Sequence, residues 1–271
     1  MCVCLPNTCN PWSLLNQNMV YQERSYRDQS PHQGQLKFTV IVEESDLFVV
    51  MDKVTSEAEA LAFSTQIITD FRRDLKQIIS DFPQFLTSHQ PIEIKFDHLQ
   101  LHYSNEIQRM IDASKIAQVG PMACVAGITS EVLVKAIQQK FNVKNVIAEN
   151  GGDIYMDADH DIKTSIFAGT SVLSNQLACV IQKEECPTSV CTSSGTVGHS
   201  FSYGKADAVV VVCKDSALVD AMATSLCNHV QSENDIEEVI NQGIQVQNIE
   251  TVIIIKDDRI GFSENAQLTK V

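Results

Sequence analysis

The chain has 271 residues, 44% of them hydrophobic, and a formal charge of −14. It can therefore bury a sizeable core and carries no compositional mark of disorder. With a pI near 4.8, the composition excludes nucleic acid and anionic membrane surfaces as main partners, because both reward clustered Lys and Arg. An anionic ligand would need local help from backbone amides, a helix N-terminus or a metal ion. Nine cysteines, an odd number at no repeated spacing, read as reduced and mostly buried thiols. No apolar stretch reaches the roughly 18 residues of a membrane span, so the expectation is a soluble, cytoplasmic protein.

Residues 1–20 are polar and irregular and read as an extension, with Met19 as an alternative start, ahead of a single domain over 21–271. LKFTVIVEE and DLFVVMDK predict a hairpin turning at Glu44 and Ser45. Ser56 and Glu59 stand at capping-box spacing before a helix with apolar residues at Phe63, Ile67, Phe71, Leu75 and Ile78. IEIKFDH is a short apolar/polar alternation after Pro83. A second helix covers SNEIQRMIDASKIA, and a third runs from about Met122 to Phe141 after Gly120 and Pro121. NVIAEN, DIYMDA, DIKTSIFAG, LACVIQK and ADAVVVVCK then read as strands. A helix over 216–229, a shorter one near 234–242 and the strand TVIIIK complete the expected list. Strands and helices do not alternate strictly, which favours α+β with a largely antiparallel sheet over a doubly wound parallel fold.

Eight of the eleven glycines fall between 120 and 204, where loops could wrap a ligand or merely turn. Asn150-Gly151-Gly152-Asp153 is a hairpin signal. Asp220 and Thr224 are spaced i, i+4, so their oxygens share one helix face. A carboxylate and a hydroxyl there could serve Mg²⁺ or simply face solvent. His199 sits among Thr192, Ser193, Ser194, Thr196 and Ser200, where it could move a proton or cap a loop. No G-x-S-x-G elbow and no Walker pattern occurs.

RSYR, DFPQF with Ser88 and Pro91, VGPMACVAGITSE, VIAENGGDIYM, FAGTSVLS, VCTSSGTVGHSFSYGKADAVVVV and LVDAMATSLCN occur in this order from about residue 22 to the end. Together they resemble an uncharacterised bacterial and archaeal family related to ApbE, the FAD:protein FMN transferases once called thiamine biosynthesis lipoproteins. The resemblance implies an ApbE-like α+β domain of the T-fold kind, with two related sheet-and-helix halves. It also implies FAD or FMN with Mg²⁺ as cofactors. Asp220-Ala221-Met222-Ala223-Thr224 is similar to the D-A-x-A-T motif whose Asp and Thr hold magnesium, with a backbone carbonyl from the Ala126-Gly127 segment. The GGDI and T-S-x-G segments have counterparts lining the flavin nucleotide, which implies that Asn150, Gly151, Gly152, Asp153, Thr192, Ser193, Ser194 and Gly195 face the ligand. Where those enzymes carry H-x-I-D-P-x-T-G, this chain runs GTVGHSFSYGKADA, and His199 stands as the candidate acid/base.

The expectation is therefore an ApbE-like protein binding a flavin or similar nucleotide with Mg²⁺. It would transfer FMN to an acceptor protein or cleave the pyrophosphate, and could form homo-oligomers as related folds do. The alternative is a ligand-binding member that has lost transfer chemistry. A third reading places hydrolytic chemistry at Ser193 or Ser194 with His199.

Overall fold

The computed structural model describes residues 34–94, 104–197 and 202–271. The N-terminal extension with its three cysteines, most of the IEIKFDH alternation and His199 lie outside these residues. The described chain begins with a hairpin of β1 (Gln35–Val42) and β2 (Ser45–Asp52). Val42 pairs with Ser45 and Glu43 takes a φ of 54°. The reversal thus falls on Glu43 and Glu44, one residue before the expected position.

Helix α1 (Glu57–Asp81) starts at Ser56, whose hydroxyl accepts from the Glu59 amide at 3.2 Å, satisfying one of the helix's orphan donors. Its buried stripe runs through Ala60, Ser64, Ile68, Phe71, Leu75 and Ile78. Phe63 and Ile67 flank that stripe half-buried; the contact face is rotated toward the small side chains. A single turn, α2 (Gln84–Thr87), precedes α3 (Asn105–Ala117). After Gly120 the chain makes a 3-10 turn over Pro121–Cys124 and becomes α-helical only in α4 (Val125–Phe141). This later start places Ala126 and Gly127 in the first turn of α4, where backbone N–H groups lack helical partners.

Strands β3 (Val146–Asn150), β4 (Asp153–Asp157), β5 (Ile162–Ser165), β6 (Leu177–Ile181), β7 (Thr188–Ser193) and β8 (Ala208–Cys213) follow. Then come α5 (Ser216–His229), α6 (Ile236–Ile244), β9 (Thr251–Lys256), β10 (Arg259–Phe262) and β11 (Leu268–Lys270). Strands β7, β10 and β11 are absent from the sequence expectation, and β7 proves central.

One sheet of eight strands has the order β1-β2-β3-β4-β7-β8-β9-β10, and a second has the order β11-β6-β5. All recorded pairings are antiparallel. The α+β expectation with antiparallel sheets and packing helices holds. In the first half, α1 and α4 cover Phe38, Val40, Leu47, Val49, Val146 and Ala148. In the second, α5 packs on β7 and β8, while Ile166, Ala168, Cys179 and Ile181 join Val190, Val210, Val212, Ile253 and Ile255 in a core cluster. Every residue of β8 is buried, because helix covers one face and the small sheet the other. That double cover accounts for a run of four valines instead of an alternating pattern.

No single described helix is long and apolar enough to cross a membrane. The bent pair of α3 with the Pro121–Phe141 segment reaches that length and hydropathy only when its two arms, 108° apart, are taken together.

Candidate functional site

The β3–β4 turn is a two-residue hairpin. Asn150 pairs with Asp153, and Gly151 and Gly152 both adopt positive φ, 69° and 103°, as this tight reversal requires. The glycines are thus explained by the turn, which delivers Asp153 at the start of β4. Next to β4, strand β7 carries Cys191 and Ser193 two residues apart, hence on one face. That face meets α5: the Ser193 hydroxyl lies 3.2 Å from that of Thr224.

Asp220, also on α5, accepts a 2.8 Å hydrogen bond from the Gly127 amide at the start of α4. The contact depends on glycine at 127. A Cβ there would lie 2.6 Å from the Ser216 carbonyl oxygen, 3.0 Å from the Asp220 Cβ and 3.1 Å from the Cys191 Sγ. The fold thereby brings Asp153, Cys191 and Asp220 together, with one potential donor atom of each within 4.8 Å of the others. Their exposures are 8%, 0% and 6%, whereas Asn150, Ser193 and Thr224 above them are half-buried. The site is a floor of acidic groups and sulfur beneath a rim of hydroxyls and amide.

Burial pushes the Asp220 carboxyl up despite hydrogen bonds from Gly127 and Ala126. Asp153 is pushed well up by burial and then by the Asp220 charge, against the 3.1 Å bond from the Thr192 amide. Burial and the two carboxylates likewise raise the Cys191 thiol. Among the described residues no Lys, Arg or His forms an ion pair with Asp153 or Asp220. Two neighbouring buried carboxyl groups without a cation can hold protons or bind a metal ion, so these residues suit a divalent cation.

The other expected site residues have defined partners. Asp220 meets the amide of Gly127, and the Ala126 carbonyl, the expected third metal donor, accepts from Ser130 Oγ at 3.2 Å and Asn150 Nδ2 at 3.4 Å. The Gly195 amide donates to the Ala206 carbonyl at 2.8 Å and the Gly152 amide to Glu149 Oε1 at 2.8 Å, so neither amide is open to a phosphate in this arrangement. Glycine at 195 answers a steric demand, since its Cβ would come within 2.1 Å of the Gly204 carbonyl oxygen. Ser194 Oγ accepts the amides of Thr196 and Val197 at 3.1 and 3.0 Å, closing a local turn. Thr192 and Ser193 belong to β7 instead of a loop. The loop beyond is tethered by Thr196, which donates to the buried Asp207 at 2.7 Å.

A second polar cluster, which the sequence reading missed, ties the same helices together. Glu131, one turn beyond Gly127 on α4, takes two bonds from Arg109 of α3 at 2.9 and 2.8 Å. It also accepts from Lys135 and Ser216. Arg109 reaches Asp215 at 2.8 Å, and Asp215 caps α5 through the amides of Ala217 and Leu218. Burial would raise Glu131, but hydrogen bonds from Arg109, Lys135 and Ser216 outweigh it and hold the carboxyl down at about 2. A cleft of about 920 Å³ between α6 and β10 includes none of the site residues in its walls.

The fold is that of a known class. Solved structures with a similar fold include the ApbE protein of Thermotoga maritima, with a TM-score of 0.54 at 11% identity, covering 85% of this chain and 97% of that one. A histidine-to-glycine mutant of the flavin transferase ApbE from Vibrio cholerae superposes with a TM-score of 0.51 at 11% identity, covering 86% and 97%. The fold is ApbE-like. A family model described as "AbpE bacteria" matches residues 27–248, and the chain belongs to that family. Its relatives include the UPF0280 protein of Methanocaldococcus jannaschii, 36% identical over 232 residues, spanning 83% of this chain and 89% of the relative. Another is the UPF0280 protein of Methanococcus vannielii, 41% identical over 185 residues, spanning 67% and 72%.

Proposed function

We propose that this chain binds a flavin or similar nucleotide together with a divalent cation and acts on the nucleotide's pyrophosphate, as an FMN-transferase-like or pyrophosphate-cleaving enzyme. The observation that carries this reading is the pair of buried carboxyl groups, Asp153 and Asp220, set without a cationic partner among the described residues, beneath a polar rim in an ApbE-like fold. Magnesium is the cation that the family resemblance implies; when bound, it would neutralise phosphate charge. Asp220, with Thr224 one turn on, would hold it from α5. Asp153 would add a second carboxylate from β4.

Ser193 and Asn150 offer hydroxyl and amide groups at the rim, and we assign them to phosphate and ribose oxygens. Gly151, Gly152, Thr192, Ser194 and Gly195 shape the walls around these groups. His199 remains the candidate for protonating the leaving group or deprotonating the acceptor. An acceptor protein would approach from the half-buried rim. The first test is calorimetric titration of FAD with and without Mg²⁺, followed by chromatography for FMN and AMP. Tight binding that requires the cation and is lost in Asp220→Ala supports the reading; binding of neither FAD nor cation refutes it. The second reading, a binder without turnover, is favoured by the replacement of H-x-I-D-P-x-T-G with GTVGHSFSYGKADA. FAD bound with Mg²⁺ and recovered intact would establish it.

A further inference from the structure

We propose that the cation site of this chain includes the Cys191 thiolate as a direct donor beside Asp153 and Asp220, and so takes a borderline divalent cation of the Zn²⁺ or Co²⁺ kind in preference to Mg²⁺. The inference rests on the cation reading above and specifies its donor set. Cys191 Sγ and one oxygen of each carboxylate lie within 4.8 Å of one another. Zinc bonds of about 2.3 Å to sulfur and about 2.0–2.2 Å to oxygen at the tetrahedral angle place donors roughly 3.4–3.6 Å apart, so side-chain rotations that move these atoms by about an ångström close the set.

The sulfur differs from three other buried thiols among the described residues. Cys124 and Cys213 point at the backbone carbonyls of Met110 and Asp215, and Cys227 meets Ser202. Cys191 instead faces the two carboxyl groups, and Ser189, two residues back on the same strand, is a weak 3.8 Å contact. Strand β7 accepts hydroxyl residues at 188, 189, 192 and 193, so a hard oxygen donor would suit the backbone at 191 equally well. Mg²⁺ prefers such oxygen ligands, whereas thiolate selects softer ions and raises affinity along the series toward zinc. On binding, the thiol proton leaves to solvent as the metal–sulfur bond forms. The half-buried rim at Ser193 and Thr224 is the entry path, and those hydroxyls or the nucleotide complete the coordination.

The test is titration of the metal-free full chain with Co²⁺, followed by absorption. We expect an intense near-ultraviolet thiolate-to-cobalt band that excess Mg²⁺ fails to remove. Cys191→Ser should abolish this band and weaken Co²⁺ binding about tenfold or more. Asp220→Asn, which keeps the thiol, should abolish it too, and far-ultraviolet dichroism checks that both variants are folded. A band that survives Cys191→Ser arises at other cysteines and overturns the proposal; one that survives Asp220→Asn shows an ion bound without Asp220 and overturns it too. Divalent binding lost in Asp220→Asn but spectrally silent and unchanged in Cys191→Ser also overturns it, while leaving the cation reading intact. Absence of any divalent binding overturns both.

Discussion

Two groups of buried acids meet at the α4–α5 contact, one helical turn apart, and their environments are opposite. Glu131 is enclosed by Arg109, Lys135 and Ser216 and is held well below the carboxylate range. Asp220 and Asp153, equally buried, have amides and a thiol around them and are pushed up. Burial disfavours the charged form in both places; only the presence of paired cations reverses its sign. The first cluster is complete and acts as a clamp on α3, α4 and α5. The second is left incomplete, which marks it as the place where an external cation adds most.

The contrast breaks first at Glu131. Glu131→Ala leaves Arg109 without its main partner and should cost about 3–5 kcal/mol, read as a fall in the urea midpoint. The pH dependence follows from the same residue. A carboxyl whose folded pKa is lowered contributes stability above its unfolded value near 4.5, and this is lost as pH falls toward about 2. The loss over that window should be about 3 kcal/mol, and Glu131→Gln should flatten it. Gly127→Ala should cost about 1–3 kcal/mol through overpacking and weaken cation binding, because the clash falls on the Ser216 carbonyl and on Asp220 and Cys191. The smallest effect has the opposite sign. Asp220→Asn should stabilise the metal-free protein at pH 8 by about 1 kcal/mol or more, because it removes a buried charge, while a Tm rise on adding divalent cations disappears. A wild type that gains no stability from Asp220→Asn would mean that the two acid clusters are alike.

Much of this was legible in the residues. The α5 boundaries follow from Asp215 as N-cap and the apolar stripe behind it, and the β3–β4 hairpin from two adjacent glycines. The Asp220 and Thr224 pairing was read from spacing and from the D-A-x-A-T resemblance. Strand β7 was missed because TSVCTS, followed by glycine, has neither an apolar run nor a clean apolar/polar alternation; its pairing with β4 and β8 supplies the stability. Once β7 is a strand, alternation puts Cys191 and Ser193 on the site face, so that error concealed the thiol.

By itself, the sequence determined the elements whose signals are local: periodicity, caps, turn glycines and the doubly buried run of valines in β8. Only the tertiary structure decided which groups meet. Asp153, Cys191 and Asp220 are separated by 38 and 29 positions, and Arg109, Glu131 and Asp215 by 22 and 84; contact across such distances depends on sheet order and helix packing, which no local pattern encodes. The same packing decided that Gly127 offers its amide and that Gly195 serves backbone approach. It set the protonation preferences as well, because the sign of each shift depends on whether a cation from another helix reaches the buried acid.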